Sequence, residues 1–578
     1  MTIAPLRQTA DVPNLTIQVN GQDLPGAVPI NSVEIINRTN RIPLARLRID
    51  DGDVATQNFP YSSGELFLPG NELSIVAGYR DDAESVFTGI VFRQRTVVRR
   101  NYSYLEIECR DPCVKMTLNR RNRYHEEASD SDIVETLIAE YRLTPEITAT
   151  EVVHPQLLQY HASDWDFMLS RLEANGQICA VEAGTVRSFS PSLQDDALVD
   201  IHFGDTLLEL DAEFDARSQS GAIKTVAWSA ADQALVEADA ADPSWEGNGD
   251  LSADDMTAAT EREEDILLHG GTVASDALQN WADGALLRSR LAASRGRARF
   301  RGIASLHIGD VVQLSSISER FNGKIFISAI RHEFSSNFWF TDIEFGLSRA
   351  WHAETFAIDH LPAAGLMPAV NGLQIGVVTQ LADDPAGENR VRVKIPVAGM
   401  DEQGLWARVA TLDAGGDRGT FFRPEVDDEV VLGFFHNDPA HPVILGMLHS
   451  SAKPPPIEAT EDNHEKGYTS REGLRFHFDD DQKIITLETP GGNSVVLSDS
   501  AETIVLEDQH GNKLEMTSAG IALTSAKEIA LTAQTDLKIE GVNMELKASA
   551  ELKAEGGASA EVSSNGTVTL KGALVQIN

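Results

Sequence analysis

IALTSAKEIALTAQTDLKIEGVNMEL, residues 521–546, sets Ile521/Leu523, Ile529/Leu531, Leu537/Ile539 and Met544/Leu546 in pairs one residue apart. Alternation with period two predicts strands. The step from Ile521 to Ile529 to Leu537 is eight residues, and Thr, Ser, Ala, Lys, Asp, Glu and Gly fill the gaps. The pairing reaches back to Ile504/Leu506 and Leu514/Met516 and forward to Val568/Leu570 and Val575/Ile577. Strand, turn and strand thus repeat from Lys483 to Asn578.

So short a strand cannot bury its apolar face alone, and stacked repeats solve this by sharing one continuous core. Each repeat here brings only about two large apolar side chains, too few to fill a single-chain solenoid. Further copies of the same chain would complete the core and pair the exposed strand edges. The pattern therefore predicts an intertwined homotrimeric β-helix or β-prism. A monomeric β-solenoid and a disordered tail are the competing readings, although a disordered tail has no reason to keep regular Ile/Leu pairs.

With 578 residues the chain has room for three or four domains. Its formal charge of −40 opposes nucleic acid and anionic membrane surfaces, since polyanion binding relies on Lys and Arg. Cys109, Cys113 and Cys179 are too few for a secreted disulfide framework, so synthesis in a reducing cytoplasm is expected. Cys109-Arg-Asp-Pro-Cys113 lacks further Cys ligands nearby and reads as buried free thiols. MTIAPLRQTADVPN has no apolar signal core, and no run approaches eighteen apolar residues, so neither a signal peptide nor a transmembrane helix is expected. A protein acting outside the cell would then leave by another route.

From residue 14 to about 120 the chain reads as strands punctuated by Gly, Pro and Asn: LTIQV, SVEII, LARLRI, ELSIVAGY, FTGIVF and YLEIEC. One helix is expected over about 130–142, opened by a Ser129/Asp132 capping box, and another over about 164–175, opened by Ser163 with Asp166 and closed by Asn175-Gly176. Between Lys224 and Asp265 stand twelve acidic residues and one Arg, read as a solvated loop. An acidic docking site or a calcium site is the alternative, but the regular spacing and central Gly of a calcium loop are missing. A third helix over about 275–293 turns Leu278, Trp281, Ala285 and Leu286 inward. Strands follow, then a Pro/Gly/Ala-rich connection near 357–372. LQIGVVTQL, RVRVKIPV, LWARVATL, DEVVLGFF and VILGML then suit a small closed barrel of the OB type. The expected architecture is mainly β: residues 1–360 as two β-rich units with a helical insert at about 125–210, a barrel at 370–449, a linker at 450–482 and the repeat region at 483–578.

Within the barrel, Gly376-Val-Val, Asp384-Pro385, Arg390-Val-Arg-Val-Lys394, Trp406-Ala-Arg408-Val, Pro424-Glu425-Val426, Asp428-Glu429-Val430, Asp438-Pro439 and Leu445-Gly446 occur in this order. The series resembles the VgrG-like spike proteins of contractile injection systems, which include type VI secretion spikes, spikes of extracellular phage-tail-like particles and fused phage hub and spike proteins. The front half is similar too, at Asn40-Arg41-Ile42-Pro43, Asp50-Asp51-Gly52-Asp53, Phe67-Leu-Pro69-Gly70-Asn71, Trp165-Asp-Phe167 and Phe321-Asn-Gly323. The resemblance implies a two-barrel hub, an OB-fold domain and a trimeric needle. It also implies a structural, non-enzymatic role without cofactors, with tube and baseplate subunits as partners and a target envelope to pierce; an extracellular particle is favoured over type VI secretion. Asp427 stands where the family commonly has Gly. The stretch between barrel and needle leaves no room for the lysozyme domain of phage spikes. The last histidine, His510, lies far from the end, so a separate PAAR-type tip is implied, docking near Val575, Ile577 and Asn578.

Catalytic arrangements are sparse. His436 and His441 flank Asp438-Pro439, but a zinc site needs a third ligand. Phe478-Asp479-Asp480-Asp481 reads as a solvated turn, and neither GxSxG nor GxxxxGK occurs. Arg93, Arg95, Arg99, Arg100, Arg120, Arg121 and Arg123 read as solvated surface or as contacts to acidic neighbours in a baseplate. Two other functions stay open at this level: a hydrolase with the barrel and solenoid as binding modules, and a receptor-binding fibre or adhesin.

Overall fold

The computed structural model describes residues 12–79, 82–399 and 403–577. The chain divides into two compact units, Met1–Ala369 and Val370–Asn578.

The first unit is organised on a 13-stranded sheet that carries two apolar cores. Val33, Ile35, Leu47, Ile49, Leu73, Ile75, Leu105 and Ile107 alternate along their strands and fill one core. Ala298, Phe300, Val312, Leu314, Ile343 and Phe345 fill the other. The long strand Gly323–Ser335 serves both, giving Ile325, Ile327 and Ile330 to the second core and Phe334 to the first. Two β-rich units emerge, as expected from the strand spacing, though joined by shared strands.

A helical insert packs its own core between them in sequence. Asp130–Glu140 starts at a capping box in which Asp132 N–H donates to Ser129 Oγ and Ser129 N–H donates to the Asp132 carboxylate. Asp164–Ala174 starts at Ser163, whose Oγ accepts from Asp166 N–H, and ends at Asn175 before Gly176 at φ +67°. Trp165, Met168, Leu169 and Leu172 are buried with Ile133, Val134, Leu137 and Ile138. All three cysteines are buried and unbridged. Burial pushes each thiol up, so these sulfurs behave as packing groups.

Two expectations change. Trp281, on the helix Ser275–Leu291, is only half-buried. The acidic stretch is not all loop. Ala234–Asp239 and Glu264–His269 flank Ala222–Ser229 in a three-stranded sheet, and Ala253–Ala258 is a short helix. Short apolar runs, Leu235-Val236 and Ile266-Leu267-Leu268, stand among the carboxylates and supply the strand signal.

His332 is sealed in the first core. Trp339 Nε1–H donates to its Nδ1 at 3.3 Å, and Thr341 Oγ1 lies 3.1 Å from the same nitrogen. Burial, reinforced by His307, pulls its pKa from 6.5 down to about 4. Between those values the unfolded chain takes up a proton that the folded chain refuses. Stability therefore falls as pH drops through that window, by an amount on the order of 3 kcal/mol. Urea titrations of the full chain at pH 7 and pH 4 check this, and in His332→Gln the acid-side loss should shrink.

The second unit opens with a closed five-stranded barrel. Val378, Val391, Val393, Ala407, Val430, Leu432 and Ile444 fill it. Gly376 is needed for close approach, since a Cβ there would lie 2.7 Å from Leu432 Cδ1. Among the described residues, no helix is long and apolar enough to cross a membrane.

Candidate functional site

After the barrel, seven short antiparallel strands follow one another from Glu465–Thr469 to Gly520–Thr524. The sheet therefore starts within the stretch read as a linker at 450–482. Tyr468, Phe476 and Phe478 carry the same alternation as the later pairs, and it was visible in the sequence.

Register places the large side chains on one face. Tyr468 pairs with Phe476 and Phe476 with Leu487, while Phe478 pairs with Ile485. Leu487 then faces Val495, which faces Leu506, Leu514 and Leu523 in succession. Ile485, Leu497, Ile504, Met516 and Ile521 form a parallel row. The opposite face carries Thr486, Val496, Val505, Glu515 and Ala522. Among the described residues these rows stay largely uncovered: Ile485, Leu487, Leu497, Ile504, Leu506, Ile521 and Leu523 are between 37% and 73% exposed, while Phe478, Val495, Leu514 and Met516 are half-buried. A contiguous apolar face of this extent marks an interface.

Beyond Thr524 the alternation continues without a partner. Ile529, Leu531, Leu537, Ile539, Met544 and Leu546 are exposed, and no described residue from 525 to 577 belongs to a strand or helix. Backbone amides and carbonyls in such a segment need partners from water or another chain. Val575 and Ile577 lie exposed in this segment, while Asn578 is outside the described residues. The single chain brings neither of the described tip residues against another element.

The barrel motifs are turns held by their own side chains. Asp384 accepts from the amides of Ala386, Glu388 and Arg390 and from the Arg390 guanidinium at 2.7 Å, which together hold its carboxyl well below the usual range. Asp438 accepts from Ala440 N–H at 2.8 Å. Asp427 adopts the left-handed conformation, φ +71°, that a glycine would adopt without strain. Asp427→Gly should therefore raise the barrel's urea midpoint, with a gain of about 1 kcal/mol at most because glycine also loosens the unfolded chain.

Most of the arginines are used internally. Arg48, Arg93 and Arg95 surround the buried Glu106 carboxylate at 3.4–3.8 Å. Arg121 and Arg123 pair with Glu140 and with the buried Asp164. Arg120 donates to the carbonyls of His161, Ala357, Ile358 and Asp359. Arg93, Arg95, Arg99, Arg100 and Arg120 are exposed and Arg121 and Arg123 half-buried, so the expected surface position holds, while several of these guanidiniums also serve buried carboxylates and carbonyls, a pairing with no sequence signal. Among the described residues, no group of three or more His, Cys, Asp or Glu could hold a metal ion. His441 lies 3.9 Å from Asp438 in its turn.

Residues 9–336 match the family described as the Alg8 N-terminal domain. Residues 374–449 match the type VI secretion system/phage-baseplate injector OB domain, and residues 484–578 match the phage baseplate V C-terminal trimerisation domain. The type VI secretion system spike protein VgrG4b of Pseudomonas aeruginosa is 35% identical over 102 residues, which cover 16% of this chain and 12% of that protein. A 43 kDa tail protein of prophage MuSo2 from Shewanella oneidensis aligns with a TM-score of 0.45 at 11% identity, over 58% of this chain and 98% of its own. A type VI secretion component from E. coli aligns at 0.37 and 12% identity, over 75% and 99%.

Proposed function

Because the chain belongs to the Alg8 N-terminal-domain family over more than half its length and is a VgrG-like spike protein, we propose that it acts as a homotrimer whose residues 465–577 wind into one puncturing shaft. The observation that carries this reading is the seven-stranded sheet with one bare apolar face, followed by alternating pairs that have no partner within the chain. Three copies would turn those rows inward around a common axis and pair the free edges. Strands hydrogen-bonded across chains would carry compressive load.

The first unit would serve as the hub, at about residues 1–360, seating the tube and baseplate subunits, with the barrel at 370–449 joining it to the shaft. The surface around Val575 and Ile577 would receive a PAAR-type tip. An extracellular injection particle is the favoured setting, supported by the resemblance of the front half. The role is mechanical and not enzymatic; in support, the buried Asp111, Asp130 and Glu173 carboxylates are each taken up by amides or arginines. With −40 per chain, entry into an anionic envelope would depend on applied force rather than affinity. Light scattering on the native full-length chain tests the central claim: the mass of three 62.9 kDa chains, resistant to mild SDS, is expected, and a single-chain mass would overturn it.

A further inference from the structure

We infer that the outer face of the three-stranded sheet in the first unit is a docking surface for a protein whose contact face is apolar at its centre and rimmed by lysine or arginine. The inference does not rest on the spike reading. Ala222–Ser229 runs between Ala234–Asp239 and Glu264–His269, and its inner residues Ile223 and Thr225 pack towards the helix Ser275–Leu291. The outer positions follow from register: Trp228 faces Leu235, Val226 faces Glu237 and Leu268, and Lys224 faces Asp239 and Ile266. Trp228, Leu235, Ile266 and Leu268 are 39%, 61%, 50% and 76% exposed, although they sit side by side on a sheet whose other face is packed. Single exposed apolar residues need no explanation, whereas a cluster on one sheet face does.

The surroundings name the partner's charge. Lys224 is already neutralised by Glu237 at 3.4 Å and Asp239 at 3.5 Å. By register the outer positions carry Glu237, Asp239 and Glu264 against the single cation Lys224, whereas Asp265 lies on the inner face with Arg262 and Arg349. A basic rim would meet this field favourably, and a second copy of the same acidic face would be repelled. An apolar centre with a basic rim is therefore the complement. Among the described residues neither outer strand has a further neighbour, so the sheet edges are open as well.

A short synthetic peptide of alternating leucine and lysine serves as the probe, titrated into the native full-length protein by calorimetry. Saturable binding is expected, weakening as salt is raised and becoming about tenfold weaker in the L235S/L268S double variant. Both positions are exposed, so an unchanged melting temperature confirms that the variant is folded. Glu237→Lys with Asp239→Lys should weaken binding comparably while leaving the apolar centre in place. No binding of the peptide, equal binding to the leucine variant, or equal binding of an alternating leucine and glutamate peptide would overturn the inference. A fall in native mass of L235S/L268S would also overturn it, by assigning the face to a contact between copies.

Discussion

Replacing Leu531 and Ile539 together with Asp should abolish the trimer, leaving single chains in light scattering and no SDS-resistant species. Each chain would bring two carboxylates into the axis, and three chains would crowd six of them into a core of Ile and Leu. An isolated ionised carboxylate removed from water costs several kcal/mol, and like charges add repulsion in low dielectric. The matched control is Lys538→Glu, at the alternate position between Leu537 and Ile539, which the shaft would turn away from its axis. It should leave the native mass unchanged. A trimer that tolerates both Asp substitutions would sink the intertwined shaft, whatever becomes of the barrel and hub.

Glu173→Ala should destabilise the first unit by about 3–5 kcal/mol, read as a lowered urea midpoint. The Glu173 carboxylate is 4% exposed, accepts from Arg288 Nη1 at 2.8 Å and Asn40 Nδ2 at 3.1 Å, and also takes the backbone amide of His352 at 2.7 Å. Removing it strands the buried Arg288 guanidinium, which keeps only its stacking on Trp351 at 4.8 Å and its bond to the Ala350 carbonyl. It also frees three segments from one another: the insert helix, the Asn40 turn and the chain around His352. Glu173→Gln should cost less, because a neutral acceptor remains for the amides. Replacing Glu173 and Arg288 together by methionine should recover much of the loss. A cost below about 1 kcal/mol for the alanine variant would show that the site relaxes enough to hydrate the arginine.

Where pattern and burial share one period, the sequence was legible. Ile485, Leu487, Val495 and Leu497 alternate because one sheet face is apolar, and this holds whether that face is covered by the same chain or by another. The capping serines Ser129 and Ser163 were equally plain, since a cap is a local device. Pairings between distant strands were not legible. Ala222–Ala227 pairs in parallel with Glu264–His269 across a long acidic excursion, and nothing local announces a parallel partner. Likewise the sequence did not show that the arginines would gather around a buried Glu106, because a carboxylate on a strand shows its burial only once the neighbouring strands are placed. The apolar rows of the seven-stranded sheet were visible, and Val575 and Ile577 lie exposed like the other pairs beyond Thr524.

The strand Gly323–Ser335 has a consequence for how the first unit comes apart. Its side chains alternate into one core near its start and into the other near its end. Sliding it by a single residue would turn apolar groups outward in both places at once. Opening one core would therefore disturb the other, and amide hydrogens along this strand should be among the slowest of the unit to exchange. Substitutions that loosen either end of this strand should then lower the urea midpoint of both cores together.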